Sequence, residues 1–175
     1  MEPPKLYFFI GYPGAGKTTL SKKIAEATGA VHIWADDQRH KYFPDASHSE
    51  EESLKLYKIL NERAEDLLKS GKSVIFDTNF NFYHDREKMR EIAKESSAEP
   101  VLIWLDVPKE MAKQRAVCAN VTRNGYKVSM SEAQFEAISS KLELPEEHEE
   151  YIKISSDATD VDSALKQLNI NVSAN

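Results

Sequence analysis

A single cysteine, Cys118, is all the chain contains. That excludes an internal disulfide and leaves no cysteine pair for a zinc site, so Cys118 is read as a small core residue. Long apolar runs are lacking too. The clearest, Leu6 to Ile10, is far shorter than the ~20 residues of a membrane-spanning helix. No signal-peptide pattern is seen, so no membrane contact is expected and the cytoplasm is the expected location. Positive charge is scarce: 23 Lys and Arg stand against 29 Asp and Glu, for a net charge of −6. Broad binding of nucleic acid, which needs many cations against phosphates, is disfavoured, although a local basic groove remains compatible. The five histidines, His32, His40, His48, His84 and His148, show no metal-ligand spacing and are read as solvated or hydrogen-bonded. Glycine is sparse as well, and three of the six glycines fall in one short stretch, Gly11, Gly14 and Gly16.

What is present suits one globular domain spanning residues 1–175, frayed after about residue 170, with 41% hydrophobic and 30% charged residues. Leu6 to Ile10 reads as a strand buried on both faces, and Leu20, Ile24 and Ala27 give a helix stopped by Gly29. Val31 to Ala35 is a second strand, followed by a long amphipathic helix with a capping box at Ser49 and Glu52 and a stop at Gly71. Further strands are expected at Ser73 to Asp77, Val101 to Leu105 and Tyr151 to Ile154, each separated by a helical pattern. Pro108 opens one helix, Ser131 and Gln134 cap another, and Val161 to Leu168 forms the last. The acidic run Glu146 to Glu150 is read as a solvated connection. Five alternations of strand and helix predict an α/β fold with a five-stranded parallel sheet and helices on both faces. A polar stretch at about residues 119–130, containing Asn120, Arg123 and Gly125, is expected to form a small helical lid or flap.

Gly11-Tyr12-Pro13-Gly14-Ala15-Gly16-Lys17-Thr18 matches G-x-x-x-x-G-K-[ST] in full, a match expected by chance in on the order of 1% of chains this long. It follows an expected strand and opens an expected helix, so backbone N–H groups and the positive helix end converge on one anionic site. Lys17 then meets the β/γ phosphates, Thr18 presents its hydroxyl to Mg²⁺, and Thr19 reaches the α-phosphate of ATP or, alternatively, GTP.

Charged residues at the strand ends complete the candidate site. Asp77 and Asp106 each close an apolar strand and compete for the metal role, with Asp77 favoured because Asp106 precedes Val107-Pro108 near a helix start. Asp36 follows the second strand and is the candidate proton acceptor, while Asp37 is expected to cap a helix beginning near Gln38. Arg39 is placed to clamp a phosphate or pair with these acids, and Arg115 and Arg123 flank the start of the flap, where a guanidinium neutralises charge on a transferring phosphoryl group.

Taken together, GYPGAGKTT, Asp36-Asp37-Gln38-Arg39, Asp77-Thr78-Asn79-Phe80-Asn81 and Leu105-Asp106-Val107-Pro108 resemble the P-loop kinases related to the 5′-hydroxyl kinase domain of polynucleotide kinase, and more distantly the zeta-toxin kinases. The resemblance runs from about Leu6 to Leu142. It implies a P-loop core with the phosphate-loop strand central, Asp36 as general base, Arg39 on the acceptor side, Asp77 to Asn79 beside metal and phosphates, Arg115 near the adenine or lid hinge and Arg123 near the transferred phosphate. The expected function is ATP- and Mg²⁺-dependent transfer of a phosphoryl group to a hydroxyl acceptor. A small metabolite or nucleoside is favoured over a nucleic-acid 5′ end on charge grounds, and no obligate protein partner is evident. The alternative is a nucleotide-dependent switch or slow ATPase acting through a protein partner. The Asp36 to Arg39 element speaks against that, having no obvious use where only water is activated.

Overall fold

A computed structural model describes residues 2–117, 121–123, 126–128, 130–155 and 161–170. Cys118 and the chain after residue 170 lie outside these, as does part of the expected lid. Strand β1 (Lys5–Ile10) is central, in a five-stranded sheet with β2 (Val31–Trp34), β3 (Val74–Asp77), β4 (Glu99–Asp106) and β7 (Ile152–Ser155), in the order β2-β3-β1-β4-β7. All four pairings are parallel. Alternate residues of β1 feed opposite faces. Leu6, Phe8 and Ile10 pack under α3 (Glu50–Lys69) and α4 (Tyr83–Glu95), whereas Tyr7 and Phe9 join the core under α1 (Lys17–Thr28) and α7 (Val161–Gln167). A strand with both faces covered has no use for polar alternation, which is why β1 reads as one unbroken apolar run. With the strands' carboxyl ends at one edge, the loops after β1, β2, β3 and β4 meet there.

Four local expectations change in the folded chain. Helix α2 (Ala35–Tyr42) starts two residues earlier than Asp37 and takes Trp34 as its N-cap. Asp37 is therefore no cap: its carboxylate accepts from Lys41 at 2.5 Å and Gln38 at 3.0 Å. Ser49 does cap α3, accepting from the Glu52 N–H. The Glu52 carboxylate, however, turns to Ser47 and Arg39 rather than completing the box, whereas Ser131 and Gln134 form a full box before α6 (Glu132–Ser139). The expected helical lid is instead an antiparallel ribbon, β5 (Val121–Arg123) with β6 (Tyr126–Val128), between α5 (Lys109–Ala116) and α6. A short polar segment with Val121, Tyr126 and Val128 gains more by pairing two stretches of its backbone than by an isolated helical turn.

The fourth change is at the acidic run. Glu149 is fully buried, accepting from Arg86 Nη2 at 2.6 Å, Arg86 Nε at 2.8 Å and Arg90 Nη2 at 2.8 Å. Arg86 is itself fully buried and also donates to the carbonyls of Phe80, Asn81 and Glu143. The segment after α6 is thereby clasped to α4 and to the loop after β3.

Candidate active site

The phosphate loop is shaped from two sides. At Gly14, φ is 82° and an added Cβ would lie 2.2 Å from the Ala112 carbonyl oxygen, so the close approach of α5 excludes any side chain. At Gly16, the N-cap of α1, φ is 104° and the space is open. Gly16 offers no capping side chain, and the first turn of α1 holds no acid. The helix's positive end is thus left without a capping or acidic side chain of its own, as a phosphate site requires.

Lys17 is buried and folds back on the loop, its Nζ donating to the carbonyls of Gly11 and Tyr12 at 2.8 Å each. Burial lowers its pKa to about 8, against the opposing pull of Asp77 and then Asp36. Thr18 donates its hydroxyl to Asp77 Oδ1 at 3.3 Å, and His32 Nε2 lies 3.0 Å from Asp77 Oδ2. Asp77 is only 3% exposed, at the end of β3, opposite Trp34 in the register with β2. Its acidic rival Asp106 pairs with Lys153 at 2.7 Å. The Thr18 hydroxyl and Asp77 carboxylate are hard oxygen donors at one point, a set that fits Mg²⁺, which takes one or two protein ligands and completes its shell with water and phosphate oxygens.

Asp36 lies in the first turn of α2 as an exposed residue, close enough for its charge to act on Lys17. Its pKa is raised, by partial desolvation among the surrounding protein first and the charge of Asp77 second, against Arg39, His40 and His48. Arg39 is buried and donates to Glu52 at 2.5 Å and Ser53 at 3.2 Å, so its guanidinium ties α2 to α3 rather than pairing with Asp36 or Asp37. Arg115 projects from α5 with Nη2 3.2 Å from the Met111 sulfur. Arg123 closes β5, and its side chain lies outside the described residues. Thr19 is exposed on the first turn of α1, while Pro13 and Ala15 are buried in the loop.

Sequence reasoning missed two features here. His32 braces Asp77 from the neighbouring strand, and the only local signal was a histidine inside a short apolar strand. The second is a cavity of about 270 Å³ beside the cleft, lined by Tyr57 and Asn61 of α3, by Thr78 to Phe82 and by the start of α4. Its residues are far apart in sequence, so no spacing could announce it.

Among solved structures, the chain is similar to a candidate kinase from Chloroflexus aurantiacus J-10-fl, with 20% identity over 96% of this chain and 98% of that one and a TM-score of 0.73. It is similar to a sugar kinase from Janibacter sp. HTCC2649, with 21% identity, 97% and 96% coverage and a TM-score of 0.67. It is also similar to the APS kinase CysC of Mycobacterium tuberculosis in complex with AMPPNP and APS, with 15% identity, 97% and 99% coverage and a TM-score of 0.65. At these identities the likeness establishes the α/β P-loop NTPase fold. No curated protein matches the sequence. The family model described as AAA domain (AAA_33) matches residues 6–145, and the chain, with its glycine loop, Lys17 and Asp77 all inside that span, belongs to this AAA domain family.

Proposed function

We propose that this protein is an ATP-dependent kinase that transfers the γ-phosphoryl group to a hydroxyl of a small acceptor. The observation that carries the reading is the convergence of four features at one sheet edge: the uncapped start of α1, the Lys17 ammonium, the Thr18–Asp77 pair and the Asp36 carboxylate with its raised pKa. The neighbours described as kinases support it, one of them holding AMPPNP and APS.

The loop N–H groups and α1 hold the phosphates, and Lys17 exchanges its two carbonyl partners for phosphate oxygens. Thr18 and Asp77 would hold Mg²⁺, which when bound neutralises charge on the β- and γ-oxygens. The acceptor oxygen bonds to the γ-phosphorus as the bond to the β,γ-bridging oxygen breaks. ADP leaves, and the hydroxyl proton passes to Asp36. Raising the pKa of Asp36 makes it a better proton acceptor, provided it remains ionised near neutrality. Arg115, in α5 ahead of the β5–β6 ribbon, and Arg123, at the end of β5, are proposed to meet the nucleotide and the transferred phosphoryl group. Product formation with a panel of hydroxyl acceptors, measured beside acceptor-independent ADP release, tests the reading. ADP release that no acceptor accelerates would favour a switch or slow ATPase instead.

A further inference from the structure

The guanidinium groups of α2, α3 and α4 already have partners. Arg39 is tied to Glu52, Arg86 and Arg90 share Glu149, and Arg63 donates to Gln38 at 2.9 Å. Beside them lies the 270 Å³ cavity, and no arginine is among the described residues that line it. Its apolar surface comes from Phe80, Met89 and Ile138, and its polar groups include Asn61, Thr78, Asn81 and Asp85. The Tyr57 hydroxyl, on the same wall, is 2.8 Å from that of Thr78. Asn81 is only 5% exposed, and its Oδ1 has no hydrogen-bond partner among the described residues. A buried acceptor left in that state is destabilising, and a ligand's donor would relieve it.

We propose that this cavity receives the phosphoryl acceptor, and that the acceptor is an uncharged alcohol of monosaccharide to nucleoside size, with one apolar ring face and several hydrogen-bond donors. The inference rests on the kinase reading above and adds the substrate class. Location favours it. Thr78 directly follows Asp77, and Tyr57 is close enough for Asp36, Arg39 and Asp85 to act on its hydroxyl electrostatically. A hydroxyl held beside Thr78 and Tyr57 is therefore on the side of the cavity next to Asp77 and within electrostatic reach of Asp36. Size favours it as well, since 270 Å³ sits just below the ~300–1,000 Å³ of drug-sized ligand sites.

Charge decides the class. Carboxylate, sulfate and phosphate groups are recognised best by the planar fork of arginine. Here the nearby forks are already bound, and a carboxylate, Asp85, stands half-buried in the wall with its pKa raised by burial. His84 sits 3.2 Å from it, on the exposed side. Lys88 and Lys141 also border the cavity, but both are exposed, and the Lys88 ammonium lies 3.2 Å from Glu91. An anionic acceptor would have to approach Asp85 with only these flexible ammonium groups in compensation. A neutral one meets amides, hydroxyls and an aromatic edge, and its own hydroxyls can donate to Asp85 and Asn81.

The test incubates the protein and Mg·ATP with two acceptor sets, following phosphate-ester formation by mass spectrometry. One set holds neutral monosaccharides, polyols and nucleosides. The other holds sugar acids, sulfated or phosphorylated nucleosides and 5′-hydroxyl oligonucleotides. Turnover is expected in the neutral set. Asn81→Ala and Asn61→Ala should each raise the acceptor KM about tenfold or more, with the KM for ATP unchanged. Thermal melts identify any variant that fails to fold, and half-buried Asn61 keeps the test available if Asn81→Ala does. Product confined to the anionic set, an acceptor KM raised chiefly by Lys88→Met or Lys141→Met, or a neutral-acceptor KM indifferent to both asparagines would overturn the assignment while leaving the kinase standing. No product from either set, with acceptor-independent ADP release, would remove the kinase reading and this inference together.

Discussion

Lys17 rests on two carbonyl oxygens at 2.8 Å, so an arriving phosphate replaces partners rather than finding a bare charge. Lys17→Ala should weaken ATP binding and nearly abolish turnover, because the charge acts in both the ground and transition states. Isothermal titration beside a rate measurement checks it. The same residue gives a pH signature. With its pKa lowered to about 8, free Lys17 loses its proton as pH rises through that value, and phosphate binding favours the charged form. ATP affinity should therefore hold up to about pH 8 and fall above it, with proton uptake on binding there, seen as a dependence of the binding heat on buffer ionisation. Lys17→Ala should abolish that uptake. Asp36→Asn keeps the shape but cannot take the proton, so turnover should drop by ~10²–10⁴-fold with ATP affinity little changed. Asp37→Asn, which weakens the pairing with Lys41, should cost stability more than rate.

At the scale of elements, the link between α4 and the segment after α6 depends on Glu149. Burial alone would raise its pKa, but the hydrogen bonds from Arg86, Arg90 and the Glu146 N–H overcome that and hold it at about 2. A depressed carboxylate pKa contributes stability that is fully present above the unfolded value near 4.3 and is lost as pH falls toward 2. Urea unfolding followed from pH 6 to pH 2.5 should show that loss, and Glu149→Gln should flatten it. At neutral pH the same substitution leaves Arg86 buried without its counter-charge and should cost about 3–5 kcal/mol. Arg86 also donates to the carbonyls of Phe80 and Asn81, so loosening the clasp should be felt in the cavity wall, as a raised acceptor KM in whatever fraction remains folded.

For the whole molecule, nucleotide binding and folding are linked. A ligand at one hundred times its Kd adds about 2.7 kcal/mol, and in a domain of this size each kcal/mol moves the midpoint by about 2–4 °C. Mg·ATP near saturation should thus raise Tm by roughly 5–11 °C. Lys17→Ala should lose most of the shift, and chelating the metal should reduce it. A midpoint indifferent to nucleotide in the intact protein would count against the whole site.

Features written in contiguous residues were legible in the chain. The glycine loop with Lys17 and Thr18, the apolar β1 and the helical stop at Gly29 each follow from backbone sterics and periodicity within a few residues, which no distant contact has to supply. The order of β1 at the sheet centre came only through family resemblance, since parallel pairing leaves no local mark. What tertiary structure alone decided is where side chains with several options end. Glu52 could complete a cap but instead meets Arg39, Glu149 reads as solvated yet closes a buried ion pair, and the lid's polar residues form a ribbon. For the two glutamates the competing local states differ by about a kcal/mol or less. A buried arginine more than ten residues away outweighs that difference, and the sequence does not state its position.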